Sequence, residues 1–276
     1  MDFQFCAAYE LPLTDLADLF TRAFANYIGG AVHMDARLLS SVLAKENVDL
    51  SLSQLILQAD RPVGFGLMSR QGNTSRLAGM GIVPESQGQQ VGFRLLSHLL
   101  QQGRERHETH MVLEAFEQNT RAVKLYQKAG FQIVQRLYGY HAEQLPGETA
   151  AHLRESDCYT VAKALVQWGD ADLPWQISGT TMARLGHPNR AYILDQAMAV
   201  ISDPTQETIY LRCLLVPPPH RNQGQGSRLL RALAAAFPQK QWAIQALCPE
   251  RYGTGFFEKR GFIRQPLNQV LMAIAL

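Results

Sequence analysis

Two stretches of this chain share a plan suited to holding an anion. The first is Ile82-Val83-Pro84-Glu85-Ser86-Gln87-Gly88-Gln89-Gln90-Val91-Gly92-Phe93, and the second is Val216-Pro217-Pro218-Pro219-His220-Arg221-Asn222-Gln223-Gly224-Gln225-Gly226-Ser227. In each, an apolar strand-like run ends at Val-Pro, a short Gly/Gln loop follows, and an amphipathic helix with paired leucines begins at once. Glycines let several backbone N–H groups converge, and the free N–H groups and dipole at a helix start favour a bound anion. Taken alone, such a loop is either a phosphate cradle or a tight turn. Its repetition favours the cradle. Neither copy has the lysine of a Walker loop, and Gly224-x-Gly226 is followed by Arg228-Leu229 where a dinucleotide fingerprint needs a third glycine.

The elements that must position these loops recur as well. At 276 residues with an internal repeat, the chain is expected to form two domains of similar length. A hydrophobic content of 46% with 18% charged residues suits packed cores and argues against disorder. In the first half, strands are expected at Phe3–Tyr9, Ser53–Gln58, Val63–Arg70, Arg76–Val83 and Met111–Phe116, with turn chemistry at Asp60-Arg61-Pro62 and Gln71-Gly72-Asn73. Helical periodicity covers Leu13–Phe24, Asp35–Ala44, the segment from Val91 through Leu100, and Asn119–Phe131. Asn119 suits a helix N-cap, and Lys128 and Gly130 suit its end. Strands at Gln132–Leu137 and Tyr138–Ala142 would close this half, with Gln144-Leu145-Pro146-Gly147 as linker. The second half repeats the order with a shortened front: a helix at Ala162–Trp168, strands at Ala191–Ile201 and Thr208–Val216, and the helix Gln223–Phe237. A strand at Gln241–Leu247, a short helix at Gly253–Lys259 and final strands complete it.

Composition excludes several functions. A formal net charge of +2, with Glu105 and Glu108 interleaved among Arg104 and Arg106, gives no basic face for nucleic acid or an anionic membrane. The start lacks a basic region followed by an apolar signal core, and no run approaches membrane-spanning length, so a cytoplasmic protein is expected. Cys6, Cys158, Cys213 and Cys248 are scattered without ligand spacing, so no metal site is expected.

Gln87-x-x-Gln90-x-Gly92 and Arg221-x-x-Gly224-x-Gly226 resemble the acyl-CoA pyrophosphate loop of the GNAT superfamily of N-acetyltransferases, Gln/Arg-x-x-Gly-x-Gly/Ala. The second copy fits fully and the first departs at Gln90. Leu113-Glu114 followed by Asn119-x-x-Ala122-x-x-Leu125-Tyr126-x-x-x-Gly130-Phe131 resembles a later motif of the same superfamily. The resemblance implies an α/β (α+β) protein of two tandem folds, each a mixed, mostly antiparallel central sheet flanked by helices. Residues 1–145 would be an acetyltransferase domain and 146–276 a related one.

The activity so implied is transfer of an acetyl group from acetyl-CoA to a primary amine of a small molecule or peptide. The amine attacks directly, and no metal, nucleic acid, membrane or oligomeric partner is required. Backbone at Ile82 and Val83 would hold the pantetheine arm and offer an N–H to the thioester carbonyl. Gly88, Gln89, Gln90, Val91, Gly92 and Phe93 would bind pyrophosphate beside Gln87, as would Arg221, Asn222, Gln223, Gly224, Gln225, Gly226 and Ser227. Tyr126 holds the family's general-acid position, unless it is simply a packed helix tyrosine. Glu114 is either a base acting through water or a carboxylate that orients nearby backbone. Asn119 either caps its helix or also touches CoA; His33 is either a pocket residue or ordinary surface; and Tyr27 and Tyr140 either line the acceptor pocket or pack elsewhere.

The two halves have complementary defects. Aligning Gly261-Phe262 with Gly130-Phe131 sets Phe257 opposite Tyr126 and Glu250 opposite Asn119. The second half keeps the glycine and loses the phenol, whereas the first keeps the phenol and carries Gln90. If the backbone there needs positive φ, Gln90 is strained; if not, its side chain is free to donate a hydrogen bond. Catalysis is therefore expected in the first domain. Catalysis in the second, or a non-catalytic acyl-CoA-binding module, stands as the alternative.

Overall fold

A computed structural model describes residues 3–169, 173–253 and 255–276 of the chain. It contains two compact units, Met1–Gln135 with Val270–Leu276, and Arg136–Gln269. The units do not follow the linker at Leu145-Pro146: chain order is broken at the last strand, and the division falls at Gln135/Arg136.

In the first unit, β1 (Phe3–Ala7), β2 (Val48–Gln58), β3 (Arg61–Gln71) and β4 (Thr74–Ile82) form an antiparallel meander. Between β1 and β2 run α1 (Leu13–Ala23) and α2 (Ala36–Lys45), and Asp35 caps α2 by accepting from the Leu38 N–H at 2.7 Å. After β4 come α3 (Val91–Glu105), β5 (His110–Phe116), α4 (Thr120–Lys128) and β6 (Gln132–Ala142). Pattern alternation places the layers: Phe65 of β3 stacks on Phe20 of α1, while a Cβ at the next residue, Gly66, would meet Leu99 of α3. Successive strand side chains point to opposite faces, so α1 and α3 cover opposite sides of the sheet.

The second unit begins within β6, a single strand where two short ones are expected from sequence. Next are β7 (Arg154–Ser156), α5 (Cys158–Trp168), α6 (Gly179–Met182), β8 (Arg190–Leu194), β9 (Ala197–Ile201) and β10 (Thr208–Leu215). The expected strand Ala191–Ile201 is in fact the hairpin β8–β9, turned at Asp195 with φ 53°. Then come α7 (Gln225–Ala236), β11 (Gln241–Pro249), α8 (Glu250–Gly253), β12 (Ile263–Arg264) and β13 (Gln269–Ala275). Of the short helix expected at Gly253–Lys259, Glu258–Arg260 is a 3-10 turn and Thr254 lies outside the described residues. Tyr192 and Ile201 pack with Leu229 and Leu233 of α7, while Ala191 and Val200 pack with Val161 and Leu165 of α5. Helices again cover both faces of a mostly antiparallel sheet.

The last strand crosses back. Val270 and Met272 are fully buried in the first unit's core, beside Leu113 and Phe131, and the Leu276 N–H donates to Thr109 O at 3.1 Å. The corresponding place in the second unit is taken by residues 136–142 of β6, paired antiparallel with β11. Apolar side chains on the crossing strands explain the exchange: each is buried in the core it completes.

Candidate active site

A parallel strand pair occurs in each unit among the described residues, and each pair parts early. β4 and β5 are in register only from Thr74/His110 to Leu77/Leu113, although β4 continues to Ile82 and β5 to Phe116. β10 and β11 pair only from Thr208/Gln241 to Tyr210/Ala243, although they run on to Leu215 and Pro249. A bulge lies at the parting point in both: Ala78 is skipped between Leu67 and Met68, and Arg212 between Ile201 and Val200. A bulge bends its strand away from the neighbour. The opening so made lies at the carboxyl ends of parallel strands, where ligands of α/β proteins collect.

The edge of β4 is left with backbone groups for that opening. The Val83 N–H donates to Val63 O at 2.9 Å. Antiparallel ladders alternate, so the N–H groups of Ile82 and Met80 face away from β3, toward the opening. Of the two residues expected to hold a pantetheine arm, Val83 is therefore committed to the sheet and buried, and Ile82 is the one whose amide is presented.

The two loops have the same internal wiring. Gln87 Nε2 donates to Ile82 O at 2.8 Å, and Arg221 Nε donates to Val216 O at 3.0 Å. Gln89 Nε2 donates to Glu85 O and Gln223 Nε2 to Pro219 O, at 3.3 and 3.2 Å. Positive φ recurs at Gly88 and Asn222 (81° and 61°) and at Gln90 and Gly224 (63° and 76°). The first residue of each motif thus fastens the loop to the strand end. Gln90 occupies a left-handed position and makes no side-chain cap, which settles the strained alternative. Gly88 and Gln89 are exposed, while Val91 is buried and anchors α3. Gly92 packs close, its Cβ position 3.4 Å from both Leu125 and Met80, and Phe93 lies under Lys128 Nζ at 4.8 Å. In the second loop Gln225 Oε1 accepts from the Gln196 N–H, Gly226 approaches Phe256, and Ser227 Oγ accepts from Arg260 Nε at 2.7 Å.

Tyr126 is buried on α4 with its ring edge-on to Phe131 at 6.0 Å. Burial, with a smaller push from Tyr27, holds its phenol far above the ordinary tyrosine value. The hydroxyl stays protonated at neutral pH and makes no hydrogen bond among the described residues. Tyr27 stands within an aromatic row that runs Phe20, Phe24, Tyr27, Phe116, with successive ring separations of 4.6, 4.9 and 5.6 Å. Its own phenol is raised by burial. Sequence alone left Tyr27 as one of two tyrosine candidates; the other, Tyr140, is fully buried in the second unit against Phe257 at 5.1 Å.

Glu114 is held in a buried ion pair. Arg76 Nε donates to Glu114 Oε2 at 2.8 Å with both side chains 3% exposed, and Arg76 Nη1 reaches Glu46 at 3.1 Å. The carboxylate ties β5 to β4 just where they part. Asn119 Oδ1 accepts from the Ala122 N–H at 3.2 Å and caps α4. His33 is exposed in the loop that Thr21 ties to Met34. Arg121, missed in sequence, donates to Gln87 Oε1 at 2.7 Å and brings a cation beside the first loop. Arg121 is 34 residues from Gln87 in the chain, so no local signal linked it to the loop.

In the second unit Phe257 does sit where Tyr126 sits in the first: the Phe131 N–H donates to Tyr126 O and the Phe262 N–H to Phe257 O, at 3.0 and 3.2 Å. No phenol replaces it at that position. Burial pushes the thiols of Cys213 and Cys248 up to about 12, so neither is a thiolate nucleophile at neutral pH. Among the described residues no cluster of His, Cys, Asp or Glu is placed to hold a metal, and no helix is long and apolar enough to cross a membrane.

Paired splayed strands, each leading through a bulge into a wired anion loop, define an acyltransferase fold present twice. The chain belongs to the Acetyltransferase (GNAT) family, which it matches over residues 15–131 and 156–262. Among solved structures it is similar to a GCN5-related N-acetyltransferase from Sphaerobacter thermophilus, with TM-score 0.72 and 13% identity over 99% of this chain and 95% of that one. It is also similar to a putative acetyltransferase from Pyrococcus horikoshii, with TM-score 0.66 and 17% identity over 100% and 89%. A tandem GNAT protein from the clavulanic acid biosynthesis pathway gives TM-score 0.65 and 15% identity over 99% and 98%. No curated protein matches the chain in sequence.

Proposed function

We propose that the protein transfers an acetyl group from acetyl-CoA to a primary amine of a small molecule or peptide, and that the first unit does the chemistry. The observation that carries this reading is Tyr126: a protonated, hydrogen-bond-free phenol on α4, beside a splayed strand pair and a preorganised loop. Acetyl-CoA would supply the acetyl group as a thioester. The Gly88–Phe93 amides and Arg121 would take the pyrophosphate, and the Ile82 N–H the pantetheine arm or the carbonyl oxygen. The amine lone pair forms the new C–N bond as the C–S bond breaks; Tyr126 gives its proton to the departing sulfur, the amine's proton leaves to solvent, and solvent returns one proton to Tyr126. Tyr27 and Phe116 would form an apolar wall for the acceptor. We assign Glu114 the positioning of β5 rather than proton abstraction.

A second reading rests on Gly224 and Phe257. The second unit has the unstrained loop and a phenylalanine in the place of Tyr126, which fits a site that binds acyl-CoA without turning it over. Calorimetric titration of acetyl-CoA into wild type, Gly92→Trp and Gly226→Trp tests both readings, followed by thiol release with an amine panel for Tyr126→Phe. Loss of turnover with Gly92→Trp and Tyr126→Phe is expected, with binding to the second loop retained. Full turnover by Gly92→Trp would move catalysis to the second unit.

A further inference from the structure

Arg212 stands at the bulge of β10, outside the paired ladder. The equivalent bulge residue of the first unit, Ala78, is uncharged, so the repeated fold does not itself require a cation here. The guanidinium is half-buried, and burial lowers its pKa. Its Nε–H donates to Asn189 Oδ1 at 2.7 Å. Among the described residues no carboxylate pairs with it, and its Nη edge has no acceptor. A desolvated arginine without a counter-charge is costly, and the planar fork left open matches a carboxylate.

Arg212 lines an open cleft of about 570 Å³, shared with Asn189, Asp203, Glu207, Thr208 and Tyr210. Thr208 begins β10 and the phosphate loop follows its other end, so the eight-residue strand sets the cleft's far rim about 25 Å from that loop. Its hairpin rim is remote from the loop, while Arg212 itself stands where β10 and β11 part. Asp203 Oδ1 is held by the Thr205 N–H and hydroxyl at 2.9 and 2.7 Å, and Oδ2 accepts from Gln206 at 3.2 Å. The Glu207 carboxylate has no partner among the described residues. Arg212 therefore lies at the bulge and the two carboxylates on the hairpin side, without an ion pair between them, and Lys240 Nζ reaches the hairpin from behind by donating to Thr205 O and Gln206 O at 3.3 and 2.8 Å.

We propose that this cleft binds a small zwitterion of the amino-acid class, its carboxylate on the Nη edge of Arg212 and its ammonium on Glu207 and Asp203. A phosphate or other polyanion would meet both carboxylates, and a simple amine would meet Arg212 without an anion to offset it. Tyr210, partly exposed, would flank the side chain.

The test is calorimetry on the full chain with L-alanine, L-glutamine and L-phenylalanine, alongside their N-acetyl and methyl-ester analogues and inorganic phosphate. At least one free amino acid is expected to bind saturably, and blocking either of its charges should weaken it at least tenfold. Arg212→Gln should abolish this binding while leaving acetyl-CoA binding unchanged, and Arg212→Lys should recover part of it. Glu207→Gln, at an exposed position, reads the ammonium side should Arg212→Gln fail to fold. Binding that survives Arg212→Gln, phosphate binding in preference to amino acids, or no amino acid binding at all would each overturn the proposal.

Discussion

Replacing Gln90 by glycine should stabilise the protein, and replacing Gly224 by glutamine should destabilise it by a similar amount. Both positions are N-caps in the left-handed region, at φ 63° and 76°, and neither makes a side-chain cap. A non-glycine residue there costs roughly 1–2 kcal/mol. Glycine returns about 0.4–1 kcal/mol of that through the greater freedom of the unfolded chain. The net gain for Gln90→Gly is about 0.5–1 kcal/mol, and a Cβ at Gly224 meets nothing within 4 Å, so only the backbone acts at that site. Scanning calorimetry should show the affected transition moving by roughly 1–4 °C, upward for the first variant and downward for the second. Because both loops already hold one conformation, acetyl-CoA affinity should change little in either. A downward shift for Gln90→Gly would mean that the glutamine side chain contributes more than its backbone strain takes away, and the reasoning would fail.

Tyr126→Phe should lower kcat by about 100-fold or more with little change in donor KM, measured by thiol release. Since burial raises the phenol, its acid form is present below that raised pKa and lost above it; the alkaline fall of kcat from this group should begin only above pH ~10. Glu114→Gln should cost about 3 kcal/mol in chemical denaturation, because buried Arg76 keeps only Glu46. A loss of kcat without a loss of stability would restore Glu114 as the base. Gly81→Ala should cost about 1–3 kcal/mol in the same assay, because its Cβ would lie 2.8 Å from that of Ala23 and press α1 off the strand.

Much of the fold was legible because its periodicities are local. The loops announced themselves through repetition, and Asn119 announced α4 through cap chemistry. Boundaries slipped where burial overrode pattern: β2 starts at Val48, well before the expected Ser53, and Asp195 turns what reads as one apolar run into a hairpin. The site was legible in part. The first loop and Tyr126 lie on the segments that follow the splayed strands β4 and β5, but the bulges at Ala78 and Arg212 have no local signature, and the partner of Glu114 lies on a different strand. Val83 looked like Ile82 in sequence; only the ladder's alternation separates the amide that is used from the one that is presented.

The strand exchange has a consequence during synthesis. Val270–Leu276 follows the whole second unit in chain order, yet Val270 and Met272 belong to the first unit's core. Until a ribosome has made those residues, β5 must wait as an unpaired edge with an apolar surface beside it, which is the situation that invites wrong pairing and chaperone capture. The half that appears first is therefore the half that matures last.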